Sequence, residues 1–176
     1  MTNSSDDTSA LDVENVPYPV LEEAVQSVVK TLDIQVGLPL KVFNEPVDPR
    51  ERNLGMGSSI ALTTETGAWN LAVMADSESC NKLTAAFFAM EDDEKPTKED
   101  IADSMGEIVN VAAGVFKASR SENGEKVLLG LPMFLEGGSC FEFFAKGIQG
   151  ISQSVKGPDG IEAHVILIWQ ENYGAS

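Results

Sequence analysis

The chain has 176 residues, 28 of them acidic and 12 basic, for a formal net charge of −16. That balance excludes nucleic-acid phosphates and anionic membrane surfaces as partners, since each requires a basic face. With 43% apolar residues the chain still fills a core, and one domain is the default at this length. No apolar run approaches the roughly 20 residues of a membrane span, and no secretory leader opens the sequence. Cys80 and Cys140 stand far apart without metal-ligand spacing, which sets the expectation of a reduced, cytoplasmic protein.

Residues 1–16 are polar and acidic and read as a disordered extension, with a single domain over 17–170 and a flexible tail over 171–176. From Pro19 to Leu32 the apolar residues Val20, Leu21, Ala24, Val25, Val28, Val29 and Leu32 recur at spacings of three and four, predicting a helix. Gly37 and Pro39 end it and open an extended piece over 38–43, followed by a charged loop over 44–57. Two strand-forming runs, 58–64 and 68–74, are joined by Glu65-Thr66-Gly67 and predict a hairpin. Asp76 or Ser77 caps a second helix, with Cys80, Leu83, Ala86, Phe87 and Met90 along one stripe. On that stripe Cys80 reads as a small buried hydrophobe rather than a reactive thiol.

After an acidic linker over 91–96, Thr97 and Asp100 form a capping-box pattern for a third helix running to about Lys117. Lys117 and Arg120 complement its C-terminal end. Beyond Asn123-Gly124, residues 127–135, 140–148 and 161–169 alternate as strands, separated by Gly137-Gly138 and by a polar loop over 149–160. Gly37-Leu38-Pro39-Leu40 follows the first helix as Gly130-Leu131-Pro132-Met133 follows the third, an echo that predicts two pseudo-related halves. The whole pattern predicts an α+β fold with helices packed on a mainly antiparallel sheet.

The third helix carries the most informative residues. At about 100° per residue, Ile101, Met105, Ile108, Ala112, Val115 and Phe116 share a core side, while Asp103, Glu107, Asn110 and Gly114 fall within about 60° of one another on the opposite side. Acids and amides are ordinary on an exposed helix face. Asn110 and Gly114 are not, because both are poor helix formers, and Gly costs about 1 kcal/mol relative to Ala in a helix interior. Close approach by another backbone is the usual compensation.

The stretch Asp103-Ser104-Met105-Gly106-Glu107-Ile108-Val109-Asn110, continued by Val111-Ala112-Ala113-Gly114, resembles the signature of the CheC/CheX/FliY phosphatases. Their motif is Asp or Ser, three residues, Glu, two residues, then Asn. The Leu131-Pro132 strand after the helix, the hairpin before it and the opening helix fall in the CheX order, so the resemblance spans roughly 17–170. In the first helix Glu23 and Gln26 repeat the last spacing, but Pro19 stands where the Asp or Ser belongs. One motif helix in a short chain resembles CheX more than CheC. Val115 departs from the family, whose members often carry a polar residue there.

The resemblance implies a phosphatase acting on the phospho-aspartate of a CheY-like receiver domain. It implies that Asn110 positions the attacking water and that Glu107 pairs with the receiver's active-site lysine. Asp103 would support Glu107 or touch the partner, and Gly114 would allow its approach. It also implies a homodimer. Two carboxylates repel free phosphate, so the phosphoryl charge must be neutralised by the partner. The expectation is therefore no cofactor of the chain's own, with Mg²⁺ held by the receiver. The alternative is a non-catalytic adaptor of the same fold that binds a receiver or a flagellar-switch-type partner.

No other catalytic signature is present. There is no glycine-rich phosphate cradle, no Gly-x-Ser-x-Gly elbow and no cysteine with a base at hand. His164 is the single histidine and lies in a strand pattern, where a structural role is expected. Trp69 and Trp169 read as core or interface residues.

Overall fold

Helix α1 (Tyr18–Thr31) opens with Pro19 in its first turn, where the missing N–H removes no helical hydrogen bond. It buries Val20, Leu21, Ala24, Val25 and Val28, relaxes into a π turn over Leu32–Val36, and ends at Gly37 with φ +72°. These elements belong to a computed structural model that describes residues 17–65, 67–136 and 148–170. The expected extension over 1–16, the expected tail over 171–176 and all but the last residue of the expected strand over 140–148 lie outside the described residues.

Strand β1 (Lys41–Val47) is followed by the hairpin β2 (Met56–Thr63) and β3 (Ala68–Ala75). Helix α2 (Ser77–Phe87) is capped by Asp76, whose side chain accepts from the Ser79 amide at 2.7 Å. Helix α3 (Lys98–Glu122) begins with a complete Thr97/Asp100 capping box. Strands β4 (Leu128–Leu129), β5 (Met133–Glu136), β6 (Ile148–Lys156) and β7 (Glu162–Gln170) complete the described chain.

All strand pairs are antiparallel, in the order β1-β6-β7-β3-β2-β4, with β5 also pairing β2. Exchanging β1 with β4/β5, β2 with β6 and β3 with β7 turns this order into its own reverse. The two Leu-Pro segments lead into opposite edges of the sheet: Leu38-Pro39 into β1, Leu131-Pro132 into β5. The fold is thus α+β with two related halves, as the sequence echo predicts.

Three elements differ from the sequence expectation. β1 runs through Asn44, Glu45 and Pro46, which read as loop. It is an edge strand, where Pro removes no ladder bond, and its irregular register between Phe43 and Val47 is tied down by Gln153. The Gln153 side chain donates from Nε2 to the Phe43 and Asn44 carbonyls at 3.0 and 2.8 Å. Those bonds also explain the second correction, that most of the polar stretch 149–160 is strand β6. Gln153, Ser152 and Ser154 are buried there, and Ser154 Oγ lies 3.0 Å from His164 Nδ1 on β7. Thirdly, the strand expected over 127–135 breaks at Gly130-Leu131-Pro132, where Pro132 supplies no amide to the ladder.

The main core lies between the sheet and the helices. Leu71, Val73, Val165 and Leu167 from the central strands meet α1 and α3 residues, among them Met105, Ile108, Ala112 and Phe116. Val109 and Ala113 are also buried and Val115 is only half-buried, so the core stripe of α3 is turned slightly from the expected one. The α3 helix runs five residues beyond its expected end. Its last turn is tied to α1 by Arg120, whose Nε lies 2.6 Å from Glu23 Oε2 and whose Nη1 donates to Glu125 at 2.9 Å. Leu54, Ala72, Met74, Leu135, Ile166 and Ile168 form a smaller cluster on the opposite sheet face.

Phe116 is the largest fully buried side chain of α3. Phe116→Ala is expected to lower the unfolding free energy by about 3–5 kcal/mol, read from the urea midpoint at unchanged m-value.

Candidate functional site

The packing of α3 sets its rotational phase, and that phase decides which side chains face outward. With Met105, Ile108, Ala112 and Phe116 against the core, Asp103, Glu107 and Gly114 are exposed and Asn110 is half-buried. All four sequence-predicted residues therefore lie on one face. Asn110 Nδ2 donates to Glu107 Oε2 over 3.4 Å, a long bond that holds the two polar groups side by side without consuming either. Asp103 has no hydrogen-bond or ion-pair partner among the described residues, and Glu107 has only Asn110. Among the described residues no cation neutralises either carboxylate. Lys98, five residues before the start of the motif, is drawn away to Glu136 at 2.7 Å.

Gly114 faces open space: a Cβ built there meets nothing within 4 Å. Nothing in the described chain requires glycine at this position. Gly106 differs. Its Cβ would come within 3.8 Å of Pro132 Cβ and 4.0 Å of Ser58 Oγ, so the segment between β4 and β5 flanks the ridge on the Asn110 side. The sequence reads Leu131-Pro132 as a strand following the helix and as one half of the internal echo, with no contact to the motif. The contact joins residues 26 positions apart, and no local pattern signals it.

The corresponding face of α1 is built otherwise. Glu23 is committed to Arg120 and mostly covered, Pro19 stands at the position of Asp103, and Gln26 lines a groove of about 260 Å³ with Tyr18, Leu21, Val25, Val42 and Pro46. The acid–amide pair of α3 has no counterpart there, as the sequence predicts.

The remaining reactive groups lie elsewhere. Cys80 is buried, and burial together with nearby Asp76 pushes its thiol up to about 12, which makes it a poor nucleophile at neutral pH. His164 lines a cavity of about 300 Å³ with Arg52, Asp76 and Glu162. It pairs with Met74 across the sheet, on the face away from α3. Burial holds the imidazole below its ordinary value; Glu162 and Asp76 pull it up, Arg52 and Lys156 push it down. Among the described residues no group of three or more His, Cys, Asp or Glu side chains is placed to hold a metal ion, and no helix is long and apolar enough to cross a membrane.

The chain matches the family model of the chemotaxis phosphatase CheX over residues 59–154, a span that contains the whole of α3. Three solved structures illustrate the likeness of fold. The chemotaxis protein CheX of Desulfovibrio desulfuricans is 17% identical, with 85% of this chain and 97% of that one covered and a TM-score of 0.67. CheX of Borrelia burgdorferi, solved as a CheX–CheY–BeF₃–Mg²⁺ complex, gives 19%, 86%, 98% and 0.69. FliY of Thermotoga maritima gives 13%, 88%, 91% and 0.62. No curated protein sequence matches the chain.

Two measurements check this account of the site. Gly114→Ala is expected to raise the unfolding free energy by about 1 kcal/mol, because the position is helical and open. For His164, the folded protein resists a proton that the unfolded chain accepts. Stability is therefore expected to fall as pH drops below about 6.5 and to level off below the depressed folded value. His164→Gln should flatten that slope in urea melts between pH 7.5 and 5.5.

Proposed function

The chain belongs to the chemotaxis phosphatase CheX family, and on that premise we propose that it hydrolyses the phospho-aspartate of a CheY-like receiver domain. The observation that supports this reading most is the juxtaposition of Glu107 and Asn110 on an outward face where no cation among the described residues pairs with them. A structural acid would be paired inward, as Glu23 is.

In this reading α3 enters the receiver's phosphorylation cleft. Glu107 exchanges its long bond to Asn110 for the ammonium of the receiver's active-site lysine, a charge-assisted contact stronger than the one it replaces. Asn110 is then free to hold a water in line with phosphorus. A carboxamide can both accept from and donate to that water without acting as a strong base, so its contribution is orientation. The water oxygen bonds to phosphorus, the phosphorus–oxygen bond to the receiver's aspartate breaks, and inorganic phosphate leaves as the carboxylate is restored. Mg²⁺ on the receiver offsets the charge of the phosphoryl group, which is why an acidic helix can approach it. Asp103 supports the docked Glu107, and Gly114 lets the partner's backbone come close. Family analogy adds a homodimer to the proposal.

Loss of phosphate from a panel of phosphorylated receivers tests it. The wild-type protein is expected to accelerate the loss from its cognate receiver. Asn110→Ala should lose about 100-fold or more in rate, with binding retained. Glu107→Ala should weaken docking by about 10- to 100-fold, the worth of a hydrogen bond to a charged group. Acceleration of no receiver in the panel would sink the enzyme reading in favour of the adaptor, and a full rate in Asn110→Ala would sink the role given to the carboxamide.

A further inference from the structure

Leu131 is 88% exposed, more than any other large apolar side chain among the described residues. It is not at the tip of a loose loop. The Gly130 amide before it donates to the Ala61 carbonyl of β2 at 2.9 Å, and a Cβ on Gly130 would lie only 3.1 Å from Ala61 Cβ. After it, Pro132 fixes the backbone and packs beside Gly106 of α3. The leucine is thus held outward by an arch pinned at both ends.

Gly106 lies about 40° around α3 from Asn110, so the arch adjoins the ridge on the Asn110 side and the two make one continuous surface. The ridge itself offers only polar contacts, which salt screens and water competes for. Interfaces of this kind draw their affinity from a few well-placed side chains that become fully covered. A body that lays its reacting group against Asn110 comes up beside the arch that holds Leu131 outward.

We propose that Leu131 is the apolar anchor of the receiver domain, the residue that sets how tightly, and which, receivers are bound. This rests on the phosphatase reading for the identity of the partner. It adds a chemical requirement on that partner: a receiver accepted by this protein carries an apolar side chain flanking its phosphorylation site, on the side that meets the arch. Met133, two residues on, is the natural control. It is also exposed, but it alternates with Phe134, which packs toward the helix-side core, so its side chain lies on the opposite face of the sheet.

The test compares Leu131→Asp, Leu131→Met and Met133→Asp in two assays. In receiver dephosphorylation, Leu131→Asp is expected to raise KM tenfold or more with kcat within twofold of wild type. Leu131→Met should restore KM, and Met133→Asp should leave it unchanged. In the second assay, an Asn110→Ala protein binds a receiver loaded with beryllofluoride and Mg²⁺, and adding Leu131→Asp should weaken that binding tenfold or more. Hydrolysis that is insensitive to Leu131→Asp overturns the anchor and leaves the phosphatase reading intact. Leu131-dependent binding without any acceleration by the wild type does the reverse. A change of oligomeric state in Leu131→Asp by sedimentation, with loss of activity in proportion, also overturns the anchor, because the leucine then belongs to a contact between copies.

Discussion

The burial of one side of α3 governs everything else in this molecule. Met105, Ile108, Ala112 and Phe116 are fully inaccessible, so the helix cannot rotate about its axis without exposing them and opening cavities beneath. The capping box at Thr97 and the Arg120–Glu23 pair fix its two ends. With rotation prevented, Asp103, Glu107, Asn110 and Gly114 have no choice of direction. Preorganisation of the ridge is therefore a by-product of core packing and needs no hydrogen-bond network of its own.

Charge follows the same division. The ion pairs among the described residues couple Asp48 to Arg50, Glu78 to Lys82, Glu136 to Lys98, Glu162 to Lys156, and Glu23 and Glu125 to Arg120. With only 12 basic residues against 28 acids, cations are the scarce partner. Among the described residues none is spent on the ridge. A carboxylate left unpaired while several others are paired is available to a cation from outside.

Much of this was legible in the sequence because it is local. The Thr97/Asp100 box, the three-and-four spacing of the α3 stripe and the opposite phase of Asp103, Glu107, Asn110 and Gly114 all lie within one helix, where geometry is set by the backbone alone. The hairpin of β2 and β3 was legible for the same reason. What escaped is long-range. Gln153 and Ser154 read as loop residues because their composition is that of a loop, and their partners, Phe43, Asn44 and His164, are supplied by other strands. The extension of β1 through Pro46 depends on that strand lying at an edge, and the contact between Pro132 and Gly106 depends on the packed fold. The early end assigned to α3 had a related cause. Its final turn carries no apolar stripe, and a salt bridge to another helix stabilises it instead.

The pairing of Glu23 with Arg120 has a consequence for how such a molecule can change over time. The reversible strand order makes α1 the structural twin of α3, yet the acid on the twin is turned inward as cement. The two halves thus differ on their outer faces: the acid of α1 is paired with Arg120 of α3, while Glu107 of α3 is left outward. Because Arg120 lies on α3 itself, a substitution there loosens the frame, whereas substitutions at Asp103, Glu107 or Asn110 leave the Glu23–Arg120 pair untouched.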